Sequence, residues 1–347
     1  MNPLWLPLSA GFRLGVQLRH AAYKRGWFKT RRLSRPVISV GNLTAGGTGK
    51  TPLVALVAKT LLRHGWRPSI LTRGYARRSQ ADLLVVPPAP ARHAEAREVG
   101  DEPALLAGAL PEVPLIVCAD RFRGGSEAEK RFAVDVHILD DGFQHLALAR
   151  DLDLVVLDAT QPLSDRCLLP AGRQREPLSA LQRAQMVVIT RVASGDPKPL
   201  EEMISRIQPA AKSFRSSTEL LALVDVASGK ALAGEEIRHQ RVAAFCGIGN
   251  PRAFFADVQR WGFNLVAEDA FSDHHVYTEQ ELHRLVASAR KNGAAALLTT
   301  EKDAVKIPRD WRPGLPIVAC VIAAQILAAE EFEKALLAFL ARPEIAE

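Results

Sequence analysis

From residue 36 onward, short apolar runs alternate with amphipathic stretches. The runs at 37–40, 69–72, 115–119, 136–139, 154–157 and 187–190 each predict a short buried strand. Helical patterns fall between them at 52–64, 102–110 and 125–132. A second series follows, with strands at 242–246, 264–267, 295–299 and 317–321 and helices near 251–261 and 279–291. A helix at 331–340 would close the chain. This alternation predicts an α/β fold of right-handed βαβ units, a mostly parallel sheet covered by helices on both faces. A polar stretch at about 194–216 is the expected seam.

The first 35 residues read differently. Trp5, Leu8, Phe12 and Val16 recur at helical spacing, and Leu4, Leu6, Leu14 and Leu18 widen the apolar side. Arg13, Arg19, Lys24, Arg25, Lys29, Arg31, Arg32 and Arg35 accompany and follow them with no acidic residue among them. No run of about 18 uncharged apolar residues exists, so a membrane span is not expected. An apolar stripe with a basic flank suits the headgroup region of an anionic leaflet, each base adding on the order of 1 kcal/mol there. The plainer alternative is a helix packed on the protein's own core. Arg13 and Arg19 interrupt the apolar run, which makes a signal peptide a poor reading.

Composition narrows the classes. With 347 residues, 48% hydrophobic and 24% charged, the chain has material for two domains and is no disordered or coiled-coil protein. Three parts are expected: an N-terminal membrane-associating segment at 1–35, a nucleotide-binding and catalytic domain at 36–210, and a smaller second α/β domain at 211–347. The net charge of +7 favours anionic partners. Aromatic residues amount to only 6%, which argues against a stacking platform for nucleic acid. Cys118, Cys167, Cys246 and Cys320 lie far apart, so neither a zinc ribbon nor a disulfide scaffold is indicated.

The run from Val37 to Pro52 (VISVGNLTAGGTGKTP) carries the most chemistry. A buried strand enters a glycine-rich turn, and a helix begins beside Lys50 and Thr51. Gly46, Gly47 and Gly49 let backbone N–H groups close around phosphate oxygens, and the helix N-terminus adds partial positive charge. The loop residues Thr44, Ala45, Gly46, Gly47, Thr48, Gly49, Lys50 and Thr51 are thus expected to cradle a nucleotide. Lys50 reaches the β- and γ-phosphates, and the Thr51 hydroxyl ligates Mg²⁺. The general pattern GxxxxGKS/T wants glycine where this chain has Thr44. The context is nevertheless that of a P-loop.

The strand at 136–139 runs into Asp140 and Asp141, the place where P-loop proteins hold Mg²⁺ on a carboxylate. Adjacent residues of an extended chain point to opposite sides, so either could face the metal. Guanine readers place a Lys-x-Asp element after a late strand, but 190–193 (TRVA) and 300–303 (TEKD) lack it. Adenine is therefore the expected base, and ATP with Mg²⁺ the expected cofactor pair. Asp101 would by itself read as a helix cap. The Asp273, His274 and His275 cluster would read as a polar loop or a weak metal fragment.

Several separated motifs together resemble the tetraacyldisaccharide 4'-kinase (lipid A 4'-kinase) family. They are the loop at 38–52, LTRGY at 71–75, VGDEP at 99–103, DDGFQH at 140–145, LPAGR at 169–173 with REP at 175–177, FSDHH at 271–275 and TTEKD at 299–303. Thr44 is at home in that family's loop. The resemblance implies transfer of the ATP γ-phosphate to the 4'-hydroxyl of a tetraacyldisaccharide 1-phosphate at the cytoplasmic face of the inner membrane. It implies Asp101 as the base, with a partner from the His274 and His275 pair, His274 being preferred. It further implies Glu176 facing Mg²⁺ and Arg175 facing phosphate, with a surface ion pair as the alternative. Gln144 and His145 are expected near the phosphates or the metal. Arg73 and Tyr75, and less firmly His275, are expected near the sugar lipid. Lys302 and Asp303 are expected only to brace the two domains. No nucleic acid and no obligate protein partner is expected. The rival readings are a P-loop kinase for a soluble sugar or cofactor acceptor, and a membrane-recruited ATPase switch.

Overall fold

The computed structural model describes residues 5–341 apart from 75, 76, 78, 91–95, 162–166, 309, 310, 312 and 313. After helix α1 (Leu6–Lys24), the chain forms β1 (Val37–Asn42), α2 (Lys50–Arg63), β2 (Pro68–Thr72) and β3 (Leu83–Val86). Then come α3 (Ala96–Val99), α4 (Asp101–Ala109), β4 (Leu115–Cys118), α5 (Arg121–Arg131), β5 (Val136–Asp140) and β6 (Leu152–Asp158). A 3₁₀ turn at Leu178–Arg183, β7 (Met186–Thr190) and α6 (Lys198–Ile207) complete this half. The second half holds β8 (Lys212–Asp225), β9 (Ala231–Leu232), α7 (Gly234–Arg238), β10 (Arg241–Cys246), α8 (Pro251–Arg260) and β11 (Asn264–Ala270). It continues with α9 (Glu279–Lys291), β12 (Ala296–Thr300), α10 (Glu301–Ala304), β13 (Ile317–Ile326) and α11 (Ala329–Leu340).

The strands expected from the apolar runs all form, and most are buried along their whole length. Such uniform burial is what a parallel sheet covered on both faces imposes. The order is β3-β4-β2-β5-β1-β6-β7-β8-β13-β12-β10-β11, with β9 added to β8. Pairing is parallel except for β3 on β4, β8 on β13 and β9 on β8. One face of the first lobe is covered by α2, α4 and α11, through Val54, Leu61, Leu106, Phe332 and Leu336. The other is covered by α6 and the 3₁₀ turn, through Leu181, Leu200, Met203 and Ile204. The second lobe has its own two layers, Phe254 and Val258 on one side, Leu282 and Val286 on the other. Burying a leucine or phenylalanine in this way contributes about 1.5–3 kcal/mol each.

The stretch expected as a seam contains α6 and the start of β8 rather than a linker. Strand β8 pairs in parallel with β7 from Lys212 to Arg215 and then antiparallel with β13 from Ser216 to Asp225. The sheet therefore passes unbroken from one lobe to the other. Its residues alternate between exposed and covered, and their polar composition (KSFRSSTE) hides the strand from a search for apolar runs.

Helix α1 is fastened along one side only. Ser9 Oγ donates to Leu168 O and accepts from Ala171 N, both at 2.9 Å. Near the other end, His20 lies 3.4 Å from Glu176, and Ala22 is buried. The apolar residues elsewhere on α1 are open to solvent: Leu8 is 56% exposed, Phe12 39% and Leu18 61%, with Trp27 beyond the helix at 71%. Among the described residues no helix is long and apolar enough to cross a membrane.

Candidate active site

The C-terminal ends of β1 and β5 lie side by side, with Val40 opposite Asp140. This brings the glycine-rich loop and the two carboxylates to the crevice edge of a parallel sheet, where such folds bind ligands. Asn42 fixes the loop from within, donating to Thr44 O at 2.7 Å and Thr48 Oγ1 at 2.9 Å. Thr190 Oγ1 donates to Thr48 O at 2.9 Å, and Arg191 to Gly47 O at 2.8 Å while ion-paired with Asp158. Ala45 N donates to Arg173 O at 2.7 Å. Gly46 (φ 110°) and Gly49 (φ 85°) adopt backbone conformations that other residues rarely take. Thr44, the departure from the general pattern, lies off the cavity wall and bonds Gln161 at 3.3 Å. A cavity of about 2060 Å³ opens from this loop between the two lobes.

Lys50 and Thr51 line the cavity with Asp140 and Asp141. Asp141 takes φ 51°, which turns it back toward the loop. Its Oδ1 lies 3.4 Å from Lys50 Nζ, and its Oδ2 accepts from Arg175 at 2.7 Å. Burial opposes its ionisation, but Lys50 and Arg175 prevail and hold its pKa below the usual range. Asp140 behaves oppositely. Burial, reinforced by Glu102 and Asp141, pushes its carboxyl up to about 7, and Thr72 Oγ1 donates to it at 3.0 Å. A buried carboxyl crowded by two others and short of positive charge is a setting that a divalent cation relieves. The hard oxygen donors of Thr51, Asp140 and Asp141 fit Mg²⁺, which typically uses one or two carboxylates with phosphate oxygens. Among the described residues no all-protein metal cage exists.

The second lobe supplies the opposite wall. His274 (φ 61°) is held by its N–H to Gly247 O at 3.2 Å, and its Nδ1 lies 3.3 Å from Asp101 Oδ2, at the start of α4 in the first lobe. Lys306 Nζ lies 3.5 Å from the same Oδ2. Burial raises the Asp101 pKa, but the His274 hydrogen bond and the two lysines outweigh it, leaving Asp101 more acidic than an ordinary carboxyl. Glu102 and His274 line the cavity, and Asp101, 15% exposed, adjoins it between them. Asp303 is buried and accepts from Gly247 N, Thr300 Oγ1 and Lys306 Nζ, which fixes the loop carrying His274.

Of the other expected residues, Arg73, Gln144, His145 and Arg175 line the cavity. Gln144 turns its amide to Asn42 O at 2.9 Å. His145 is pushed down to about 4 by burial and by Arg121 and Arg150, so it is neutral near pH 7. Two residues stand elsewhere. Glu176 does not line the cavity; its carboxylate is buried between Arg183 at 2.7 Å and His20 at 3.4 Å, tying α1 to the first lobe. In this arrangement it fastens α1, away from the cavity where the expectation put it beside Mg²⁺. His275 is also withheld, its Nε2 on Glu281 at 3.2 Å and its ring stacked on Phe271. Tyr75 lies outside the described residues.

Arg121 and Lys306 are cavity residues that the sequence motifs do not single out. Arg121 is 5% exposed, donates to Cys118 O and Ala119 O, and its Nε finds no hydrogen-bond partner among the described residues. With Arg73 and Arg19 it makes one wall strongly cationic. Its position directly after β4, at the crevice end of a parallel strand, was the available signal.

A braced glycine loop, a lysine and paired carboxylates on a parallel sheet, facing an acid–histidine pair, define a P-loop phosphotransferase. The family model described as LpxK, tetraacyldisaccharide-1-P 4'-kinase, matches residues 1–341. The chain is 41% identical over 330 residues to the tetraacyldisaccharide 4'-kinase of Geobacter metallireducens, covering 95% of each. It is 39% identical over 328 residues to that of Geobacter sulfurreducens, covering 94% of this chain and 90% of the relative. Among solved structures, the Aquifex aeolicus LpxK in complex with ATP superposes with a TM-score of 0.74 at 30% identity, covering 97% of this chain and 98% of that one. The chain belongs to the tetraacyldisaccharide-1-phosphate 4'-kinase family.

Proposed function

We propose that the protein transfers the γ-phosphate of ATP to the 4'-hydroxyl of a tetraacyldisaccharide 1-phosphate, a lipid A precursor, at an anionic membrane surface. The observation that carries this reading is the convergence on one cavity of the phosphate loop with Lys50 and of His274, whose ring is bonded to Asp101. A switch or simple ATPase needs no base for a hydroxyl acceptor. In this reading the loop residues 45–51 and Arg175 hold the triphosphate, with Lys50 on its terminal phosphates, while Thr44 braces the loop from outside the cavity. Thr51, Asp140 and Asp141 would hold Mg²⁺, which supplies charge neutralisation of the β- and γ-phosphates. Asp101 accepts the hydroxyl proton as the sugar oxygen bonds to the γ-phosphorus and ADP departs with the electron pair. Arg73, Arg121 and His145 face the phosphorylated sugar. The Trp261 and Phe254 side of the cavity, next to Gly249, offers the apolar surface for the base.

The exposed apolar side of α1 and its basic flank support an interfacial position at the cytoplasmic face of the inner membrane, with the acyl chains left in the leaflet. The test is transfer of radiolabelled γ-phosphate to tetraacyldisaccharide 1-phosphate in detergent micelles with Mg²⁺. Label on the lipid, lost in Lys50→Ala and Asp101→Ala, supports the reading. Label released only as inorganic phosphate sinks it. Flotation with anionic vesicles tests the surface, and equal binding by a Leu8→Ser, Phe12→Ser, Leu18→Ser triple variant would refute the helix's part.

A further inference from the structure

Lys302, expected from sequence only as a brace, touches the ring of His274. Its Nζ lies 3.0 Å from Asp273 Oδ1, 3.3 Å from Glu102 Oε1 and 3.3 Å from His274 Nε2. An ammonium has three N–H donors and no acceptor, so it donates in all three contacts. Burial favours the neutral amine, but Glu102 and Asp273 outweigh it and keep Lys302 charged. A neutral imidazole has one donor and one acceptor nitrogen. With Nε2 accepting from Lys302, the ring proton sits on Nδ1, the nitrogen 3.3 Å from Asp101 Oδ2.

We propose that Lys302 is a positioning residue that locks His274 as the neutral Nδ1–H tautomer, so that His274 donates to Asp101 Oδ2 and leaves Oδ1 for the hydroxyl proton. This rests on the reading of Asp101 as the base. Both His274 and Lys306 contact Oδ2, which is why Oδ1 is the oxygen left open. Charged groups that face His274 include Asp101 from α4, Asp273 beside it with Oδ1 3.8 Å from Nε2, and Lys302 from α10. Lys306 acts on it through Asp101. Without the ammonium, each ring nitrogen still faces a carboxylate, Nδ1 that of Asp101 and Nε2 that of Asp273, and Lys302 no longer selects which of them carries the proton. A ring with its proton on Nε2 would no longer donate to Asp101 Oδ2 and would not hold that carboxylate in place. Lys302 thus links the second lobe to the acid of the first by a chain of directed hydrogen bonds.

The test reads the tautomer itself. Protein labelled with ¹⁵N-histidine is examined by long-range proton–nitrogen correlation, with the His274 signals identified by their loss in His274→Gln. The expected wild-type pattern at pH 7 is a protonated Nδ1 and an unprotonated Nε2. Lys302→Met is expected to show a mixture of Nδ1–H and Nε2–H rings at that pH, with kcat about 10-fold lower and KM for ATP changed less than about twofold. Lys302→Arg, which retains a donor, keeps the tautomer and most of the activity. A wild-type His274 carrying a proton on Nε2 overturns the proposal, as does Lys302→Met with an unaltered tautomer. The expected tautomer in a wild-type protein that phosphorylates no lipid supports the lock and overturns the acceptor reading instead.

Discussion

The phosphate loop and the Asp101–His274 pair face one cavity but are held in opposite ways. The loop is fixed largely through its backbone: Thr44, Gly47 and Thr48 carbonyls accept from Asn42, Arg191 and Thr190, and Ala45 donates to Arg173. The pair is fixed by side chains from separate elements of two lobes, Asp101 on α4, His274 on a loop after β11, and Lys302 and Lys306 at and beyond α10. Where the backbone makes the site, the loop's shape depends on few residue identities. Where ionic side chains make it, every charge must be present and the lobes must be together. The contrast also separates binding from chemistry. The braces of the first region all come from the first lobe, whereas the second is complete only when both lobes contribute.

The largest effects should come from removing the charged group each region presents. Lys50→Ala and Asp101→Ala are each expected to lower kcat by about 10³-fold or more. Calorimetry should separate them: Lys50→Ala weakens ATP binding, while Asp101→Ala leaves it intact. Equal loss of ATP binding in both would erase the distinction between the regions. A smaller effect is expected where the lobes touch. A Cβ at Gly249 would collide with the backbone of Gly46 and Gly47, so Gly249→Ala must move the second lobe or the loop. Its KM for ATP should rise by roughly tenfold, and unchanged kinetics would show that the lobes are not in register during turnover.

The third test concerns stability. Asp140 titrates near 7 in the folded protein and near 4 when unfolded. The folded state binds the extra proton between these values, so stability falls as pH rises through that window. In magnesium-free buffer, Asp140→Asn should melt a few degrees above wild type at pH 8 and equal to it near pH 4, though it is inactive. A constant difference across pH would refute the assignment. The smallest effect on activity belongs to Glu176→Gln. Its ion pairs hold α1, so kcat in micelles and the Mg²⁺ requirement should stay within about twofold while the melting temperature drops. A raised Mg²⁺ requirement would return Glu176 to the metal.

The same contrast decides what the sequence discloses. A P-loop is contiguous, and 37–52 shows strand, glycines, lysine and helix in one run. The paired aspartates ending β5 are nearly as visible. Ion-pair assignments across the fold are another matter. Arg175 and Glu176 are neighbours in sequence, yet Arg175 meets Asp141 and Glu176 meets Arg183 and His20. His274 and His275 likewise diverge, because φ 61° at His274 turns the chain between them. Arg121 and Lys302 acquire their meaning only from partners that are distant in sequence. Strand β8 escapes detection because its residues are polar where it bridges the lobes, and β3 because it is a short antiparallel edge.

Helix α11 sets the order in which the molecule can be finished. Phe332, Ala335 and Leu336 fill the first lobe's core beside α2, the helix that begins at Lys50. On the ribosome the glycine loop precedes α11 by about 280 residues, so the hydrophobic seat of its helix is completed only after α11 has emerged. The second lobe is synthesised in the interval. A chain cut short before α11 would keep a loop of correct sequence on a scaffold that lacks Phe332, Ala335 and Leu336.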